Sequence, residues 1–165
     1  MNQDEIKAVF DQQAASYDVQ WAKTAAIKDC LYLLLESLFA ELPADARILC
    51  VGVGTGAELA HLARKNPAWR FTAVEPSGPM LDGCRQRAEE DGFTSRCYFH
   101  EGYLDSLPAI GPLAFWCLNS FSTSKRDQGS FGKYLANSSR EEFLLVLIWL
   151  RMWHRQNMKC CFAPG

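Results

Sequence analysis

The stretch that most constrains this chain is Ile48-Leu49-Cys50-Val51-Gly52-Val53-Gly54-Thr55-Gly56-Ala57-Glu58-Leu59, an apolar run that breaks into alternating glycines and resumes with helix formers. It reads as a buried strand, a tight turn and a helix N-terminus. Glycines at such a turn let backbone approach a ligand closely. The free N–H groups and the positive end of the helix dipole favour an anionic or carboxylate-bearing partner. Downstream, Phe71-Thr72-Ala73-Val74-Glu75 is a second apolar strand ending in a carboxylate, at the offset of about 20 residues where folds of this kind set an acid against a ribose. Together the two segments describe a nucleoside-binding βαβ unit.

The glycine spacing separates two ligand classes. Dinucleotide folds usually show G-x-G-x-x-G, whereas Gly52, Gly54 and Gly56 form G-x-G-x-G. That pattern resembles motif I of class I S-adenosylmethionine (AdoMet)-dependent methyltransferases, with Glu75 matching the family's ribose-binding acid. The resemblance continues on both sides. Val9-Phe10-Asp11-Gln12-Gln13-Ala14-Ala15-Ser16-Tyr17-Asp18 is similar to the F-D-x-x-A-x-x-Y-D entry segment of many small-molecule methyltransferases, in which a mobile helix partly covers the cofactor. Pro76-Ser77-Gly78-Pro79-Met80-Leu81 resembles the turn after the ribose acid, where a Met commonly packs against adenine. His100 to Pro108 resembles the segment bordering the adenine. The likeness spans about Val9 to Pro108. It implies AdoMet as cofactor, held by Tyr17, Gly52, Val53, Gly54, Thr55, Gly56, Glu75, Pro76, Ser77, Met80, Gly102 and Tyr103.

One position departs from the pattern. Many members carry an acid two residues before the first loop glycine, and here that residue is Cys50. The acid usually helps hold the cofactor's methionine end, so its loss weakens affinity or passes the task to Tyr17 or loop backbone. Cys50 itself reads as a buried apolar strand residue rather than a redox or metal group.

The alternation of elements predicts the fold. Helices over Asp4 to about Tyr17 and Ala25 to Leu42 precede strands at Arg47–Val51, Phe71–Val74 and Cys97–His100, which alternate with helices at Ala57–Lys65 and Met80–Asp91. This is an α/β, Rossmann-like, doubly wound parallel sheet with right-handed crossovers and its ligand at the carboxyl ends of the strands. A chain of 165 residues, 48% of them hydrophobic, can bury one substantial core. A net charge of −2 offers no broad basic field for nucleic acid. Seven cysteines without an opening signal peptide or a C-x-x-C pair point to a reducing cytoplasm and to no metal.

Past Pro108 the character of the chain changes. Gly111 to Asn137 has poor periodicity, and Phe143 to Leu150 is an apolar block too short to span a bilayer, ordinarily a core helix. The genetic code suggests another origin. Codons allowed for Phe115 to Thr123, read one base out of register, spell Leu-Val-Ser-Gln-Phe-Ile-Leu-Asp, similar to the family's fourth strand and following helix. Codons allowed from about Ser138 to Met152, in the same displaced frame, spell a segment opening Leu-Lys-Pro-Gly-Gly, the family's turn before its fifth strand. A one-base slip near Ile110 or Gly111 accounts for both. On this reading residues 1–110 form an AdoMet-binding domain with N-terminal lid helices, and 111–165 are an atypical, out-of-frame tail. The sheet is then truncated or irregular after its third strand, and the chain is marginally stable with weak or no turnover.

Few other side chains invite chemistry. His61 reads as packing or solvent-facing, His100 as a ligand-side imidazole, and Glu58 as a structural acid complementing the helix dipole. Tyr103 and Asp105 border the adenine or serve loop polarity. His154, Trp116, Trp149 and Trp153 belong to the suspect tail. The run Arg85 to Asp91 reads as a solvated helix face ending near Gly92. No general base is assigned. Three functions are open: an AdoMet-dependent methyltransferase acting on a small-molecule acceptor, a non-catalytic AdoMet- or nucleoside-binding fragment, and a nicotinamide-dependent oxidoreductase. The third is disfavoured by the glycine spacing. Fold alone does not choose among them.

Overall fold

Apolar strands separated by amphipathic helices assemble into a parallel sheet in the computed structural model, which describes residues 2–108 and 114–117. The elements run α1 (Gln3–Gln13), α2 (Tyr17–Ala22), α3 (Ala25–Leu38), β1 (Arg47–Val51), α4 (Ala57–Lys65), β2 (Arg70–Glu75), α5 (Gly78–Glu90), β3 (Cys97–Glu101) and β4 (Ala114–Cys117). All strand pairs are parallel, in the order β3-β2-β1-β4. The chain steps outward from β1 to β3, then returns to the opposite side of β1. The topological switch therefore lies beside β1, where such sheets place their ligands.

Past β3 the described sheet gains only a short continuation, in keeping with the truncated or irregular sheet expected after the third strand. One further strand, β4, pairs with β1 from Ile48↔Ala114 to Val51↔Cys117. A parallel ladder is made by backbone groups, so a short extended segment suffices to extend it. The block Phe143–Leu150, Trp149, Trp153, His154 and, apart from the backbone of 114–117, the rest of the out-of-frame reading lie outside the described residues.

The pleat divides the core between two faces. Ile48, Cys50, Phe71 and Ala73 join Leu35, Phe39, Leu59, Leu62, Leu81, Cys84 and Phe93 in one buried cluster beneath α3, α4 and α5. Leu49 and Val74, pointing the other way, pack with Leu104 and Leu107. Cys50 is fully buried in the first cluster, as its strand position predicts.

Two helices differ from the pattern reading. The first predicted helix breaks at a 3-10 turn over Ala14–Ser16 and continues as α2 to Ala22. The second ends at Leu38, short of Leu42, because Phe39 turns into the core and sets its ring edge-on to Trp69, centroids 6.2 Å apart. Trp69 is fixed there by its indole N–H, which donates to Pro43 O at 3.0 Å. At its far end α4 is held by Arg96, whose guanidinium donates to Ala63 O, Asn66 O and Trp69 O at 3.1, 3.1 and 2.9 Å. These carbonyls lie at the helix end and in the following turn, where Asn66 O also accepts from Trp69 N at 3.2 Å.

Candidate cofactor site

The site begins where β1 stops. Gly52, Gly54 and Gly56 take φ values of +68°, +55° and +77°, a left-handed region that side chains strain to enter. The loop is less open than the sequence implies, because much of its N–H inventory is spent internally. Gly52 N and Val53 N both donate to Val74 O, at 2.8 and 3.2 Å, and Gly56 N donates to Val53 O at 3.0 Å. A Cβ at Gly56 would stand 2.5 Å from Cys84 Sγ, whereas one at Gly54 meets nothing within 4 Å. Gly56 is thus a packing glycine, and Gly54 faces open space.

Glu75, at the end of β2, is 6% exposed. Its Oε2 accepts from Gly54 N at 2.9 Å and its Oε1 from Ser77 N at 3.0 Å. Burial raises its pKa, and the two backbone N–H groups oppose the rise. Each oxygen keeps a lone pair for a further donor. Two backbone N–H groups therefore aim one carboxylate, and they come from the two loops that the sequence assigned to the ligand.

The neighbouring residues converge on that carboxylate. Ser77 caps α5, accepting from Met80 N at 3.4 Å, while Pro76 lies in the intervening bend. The Met80 side chain is buried at 1% exposure, deeper than an adenine-facing surface position requires. Gly102 N donates to Glu75 O at 3.0 Å, which ties the turn after β3 to the end of β2. Tyr103 OH donates to Gln3 O at 3.4 Å, bringing α1 over that turn. Tyr17 opens α2 beside Phe10 and Trp21, ring centroids 6.4 and 6.0 Å away. Burial pushes its phenol well above the ordinary range, with the charges of Glu58 and Glu75 adding to the rise.

Three residues that the pattern reading left out of the site also meet here. Asp18 Oδ1 accepts from the Thr55 hydroxyl at 2.7 Å, and Oδ2 pairs with the Arg87 guanidinium. Arg87 Nε in turn donates to Thr55 O at 3.0 Å. Arg87 is thus no solvated bystander of its charged run. Asp11 accepts from Lys7 at 2.7 Å through Oδ2, while its Oδ1 is buried without a hydrogen-bond partner among the described residues. The Lys7 ammonium, followed by the nearby Ser77 hydroxyl, holds the Asp11 carboxyl below the usual range. The F-D and Y-D pairs of the entry segment were the available signal for both acids.

The histidines have structural partners. His61 Nε2 lies 2.7 Å from Glu36 Oε1 and its ring stacks on Tyr32 at 4.1 Å, a packing role. His100 Nε2 is 2.8 Å from Ser106 Oγ. The Ser106 hydroxyl donates to Tyr103 O at 2.7 Å, so the imidazole N–H is the donor and His100 braces the turn. Glu58 lies in the first turn of α4, its carboxyl raised chiefly by burial. Asp105 is exposed. Among the described residues no His, Cys, Asp and Glu group is arranged to hold a metal ion. No described helix is long and apolar enough to cross a membrane.

A left-handed glycine loop tied to a buried strand-end acid is the geometry on which comparison with known proteins bears. The profile of the methyltransferase-domain family matches residues 48–140, more than half of the chain. This chain belongs to the class I AdoMet-dependent methyltransferase family. Solved structures agree on the fold of the family. An AdoMet-dependent methyltransferase from Thiobacillus denitrificans, in complex with S-adenosyl-L-homocysteine, is 22% identical with a TM-score of 0.52, covering 65% of this chain and 42% of its own. The Geobacter sulfurreducens enzyme in the same type of complex is 23% identical with a TM-score of 0.52, covering 67% and 44%. The [4+2]-cyclase SpnF is 27% identical with a TM-score of 0.57, covering 65% and 39%. The matched region spans less than half the length of each. No curated protein sequence matches this chain.

Proposed function

We propose that this chain binds AdoMet and serves methyl transfer to a small-molecule acceptor. The observation that carries the reading is the Glu75 carboxylate, buried and aimed by Gly54 N and Ser77 N beside open space at Gly54. The residues present fit the nucleoside end of such a cofactor. Glu75 has acceptor capacity for a ribose diol, and the buried, unpartnered Asp11 Oδ1 offers a further acceptor on α1. The methionine end differs from the family pattern, with Cys50 buried in place of the usual acid. The contacts there fall to Tyr17, Val53, Thr55 and the loop backbone, while Pro76, Gly102 and Tyr103 frame the nucleoside side and Met80 packs beneath them.

When bound, AdoMet supplies a methyl group on sulfonium sulfur, open to in-line displacement. The chain's part is to orient and to exclude water. Loop backbone and Glu75 fix the cofactor's position, and α1 and α2 roof the site through Tyr103 and Asp18. No described side chain is assigned as general base. Likeness to the [4+2]-cyclase SpnF makes non-methylating use of this fold a second reading.

The test is calorimetric titration with AdoMet and S-adenosylhomocysteine, with a nicotinamide dinucleotide as control, followed by a labelled-methyl assay. Saturable AdoMet binding that is lost in Glu75→Ala supports the reading. A folded chain that ignores AdoMet refutes it, and binding without methyl transfer favours the non-catalytic alternative. The free thiols of Cys30, Cys84 and Cys97 suit a reducing compartment, and we place the chain in the cytoplasm. We also propose the boundary at about residue 110, with the tail out of frame. DNA sequence decides it, since a displaced frame that lacks the Leu-x-Pro-Gly-Gly segment or meets stop codons ends the idea.

A further inference from the structure

We propose that Asp18 is a positioning residue that latches the N-terminal helices onto the glycine loop and sets how fast the cofactor exchanges. The proposal rests on the AdoMet reading above and extends it to the control of that same site. A carboxylate, a hydroxyl, a carbonyl and a guanidinium close a ring here. Thr55 Oγ1 donates to Asp18 Oδ1 at 2.7 Å, Arg87 Nε donates to Thr55 O at 3.0 Å, and Arg87 completes the circuit to Asp18 Oδ2. The three residues come from α2, the loop and α5, so the ring joins segments that no local structure holds together.

Thr55 stands between Gly54 and Gly56, which have no side chains to anchor the turn. Glu75 fixes the loop on one side, through Gly54 N, and the ring fixes it on the other. The helices it recruits are only half-buried, for neither α1 nor α2 contributes a fully buried residue, and their Phe10, Tyr17 and Trp21 rings pack largely on one another. Segments with little buried apolar surface open at low cost, so a few polar contacts govern their equilibrium. The Asp18 side chain is 51% exposed and that of Arg87 31%, which lets water compete for the pair. A latch of that strength holds a lid and still releases it.

The experiment compares the full chain with Asp18→Asn, Arg87→Met and the double variant. Hydrogen exchange across residues 3–22 is read without ligand, and the dissociation rate of S-adenosylhomocysteine by stopped-flow. Each single variant should speed exchange in 3–22 by about three- to tenfold, and the double by no more than the larger single, because both break one ring. Amides of β1 and β2 should keep their rates, and S-adenosylhomocysteine should leave faster by a similar factor. Unchanged exchange in 3–22 on Asp18→Asn, or effects that simply add in the double variant, would overturn the latch. Loosened helices with an unchanged dissociation rate would overturn its role in exchange. A wild-type chain that takes up no S-adenosylhomocysteine while the variants still loosen 3–22 would refute the cofactor reading and leave the ring as a device of the fold.

Discussion

Alanine at Gly54 and at Gly56 should have unequal consequences, although the two glycines look alike in sequence. Both have left-handed backbone, with φ of +55° and +77°. An L-residue there costs about 1–2 kcal/mol, of which about 0.4–1 kcal/mol returns through the stiffer unfolded chain. For Gly54 that is the whole account, since its Cβ would meet nothing within 4 Å. For Gly56 the new methyl lies 2.5 Å from Cys84 Sγ, 3.1 Å from Cys84 Cβ and 3.3 Å from Cys84 Cα. Overpacking of this kind costs a further ~1–3 kcal/mol. The expected losses are about 1 kcal/mol for Gly54→Ala and about 3 kcal/mol for Gly56→Ala, read as urea midpoints at unchanged m-value. Adding Cys84→Ala should recover part of the second loss and none of the first. Cofactor affinity should order the other way per unit of stability lost, with the folded Gly54→Ala chain losing about tenfold in AdoMet affinity. Equal destabilisation by the two alanines, or no recovery with Cys84→Ala, would refute the assignment of Gly56 to packing and Gly54 to the ligand.

Other outcomes rest on the same geometry. Arg96→Met removes all three donors from the end of α4 and should cost about 2–4 kcal/mol in chemical unfolding, with AdoMet affinity of the folded fraction unchanged. His61→Ala loses the Glu36 contact and the Tyr32 stack and should lower stability by about 1–2 kcal/mol without touching cofactor affinity in calorimetry. The Glu75 carboxyl is raised by burial above its ordinary value of 4.5, so its contribution to stability is present below that value and is lost as pH rises through the raised one. Glu75→Gln should therefore gain on wild type as pH climbs through that window in thermal melts. AdoMet binding by wild type should strengthen over the same window, as the acceptor ionises. A gap between the two melting curves that does not change with pH would contradict this.

The site was legible in the sequence where one residue type has one physical use. Gly52, Gly54 and Gly56 announce a left-handed turn, and Leu59, Ala60, Leu62 and Ala63 repeat at helical spacing, so the 57–65 helix is found at its own limits. Glu75 is legible as the acid that ends an apolar strand. What escaped is set by partners distant in sequence. Ala14-Ala15-Ser16 carries no stop signal, and the break there reflects how α2 seats Tyr17 against the body. Phe39 leaves α3 early because Trp69, thirty residues on, offers a better surface than another helical turn. Asp18 and Arg87 are charged, partly exposed and 69 residues apart, so the Tyr17-Asp18 pair marks the acid but nothing local names its partner or sets Arg87 apart from a solvated side chain. The glycine loop's N–H groups, which the motif presents as free, turn out to be largely committed to Val74, Glu75 and Val53.

The ring of Asp18, Thr55 and Arg87 and the Glu75 cradle are all made from residues 18 to 87. During synthesis the N-terminal portion of a chain is released first. Every residue that holds the Glu75 side chain or closes the ring at Thr55 therefore precedes the rest of the chain out of the ribosome. The residues beyond Arg87 complete the pocket later, when Gly102 ties onto Glu75 O and Tyr103 brings α1 over the turn.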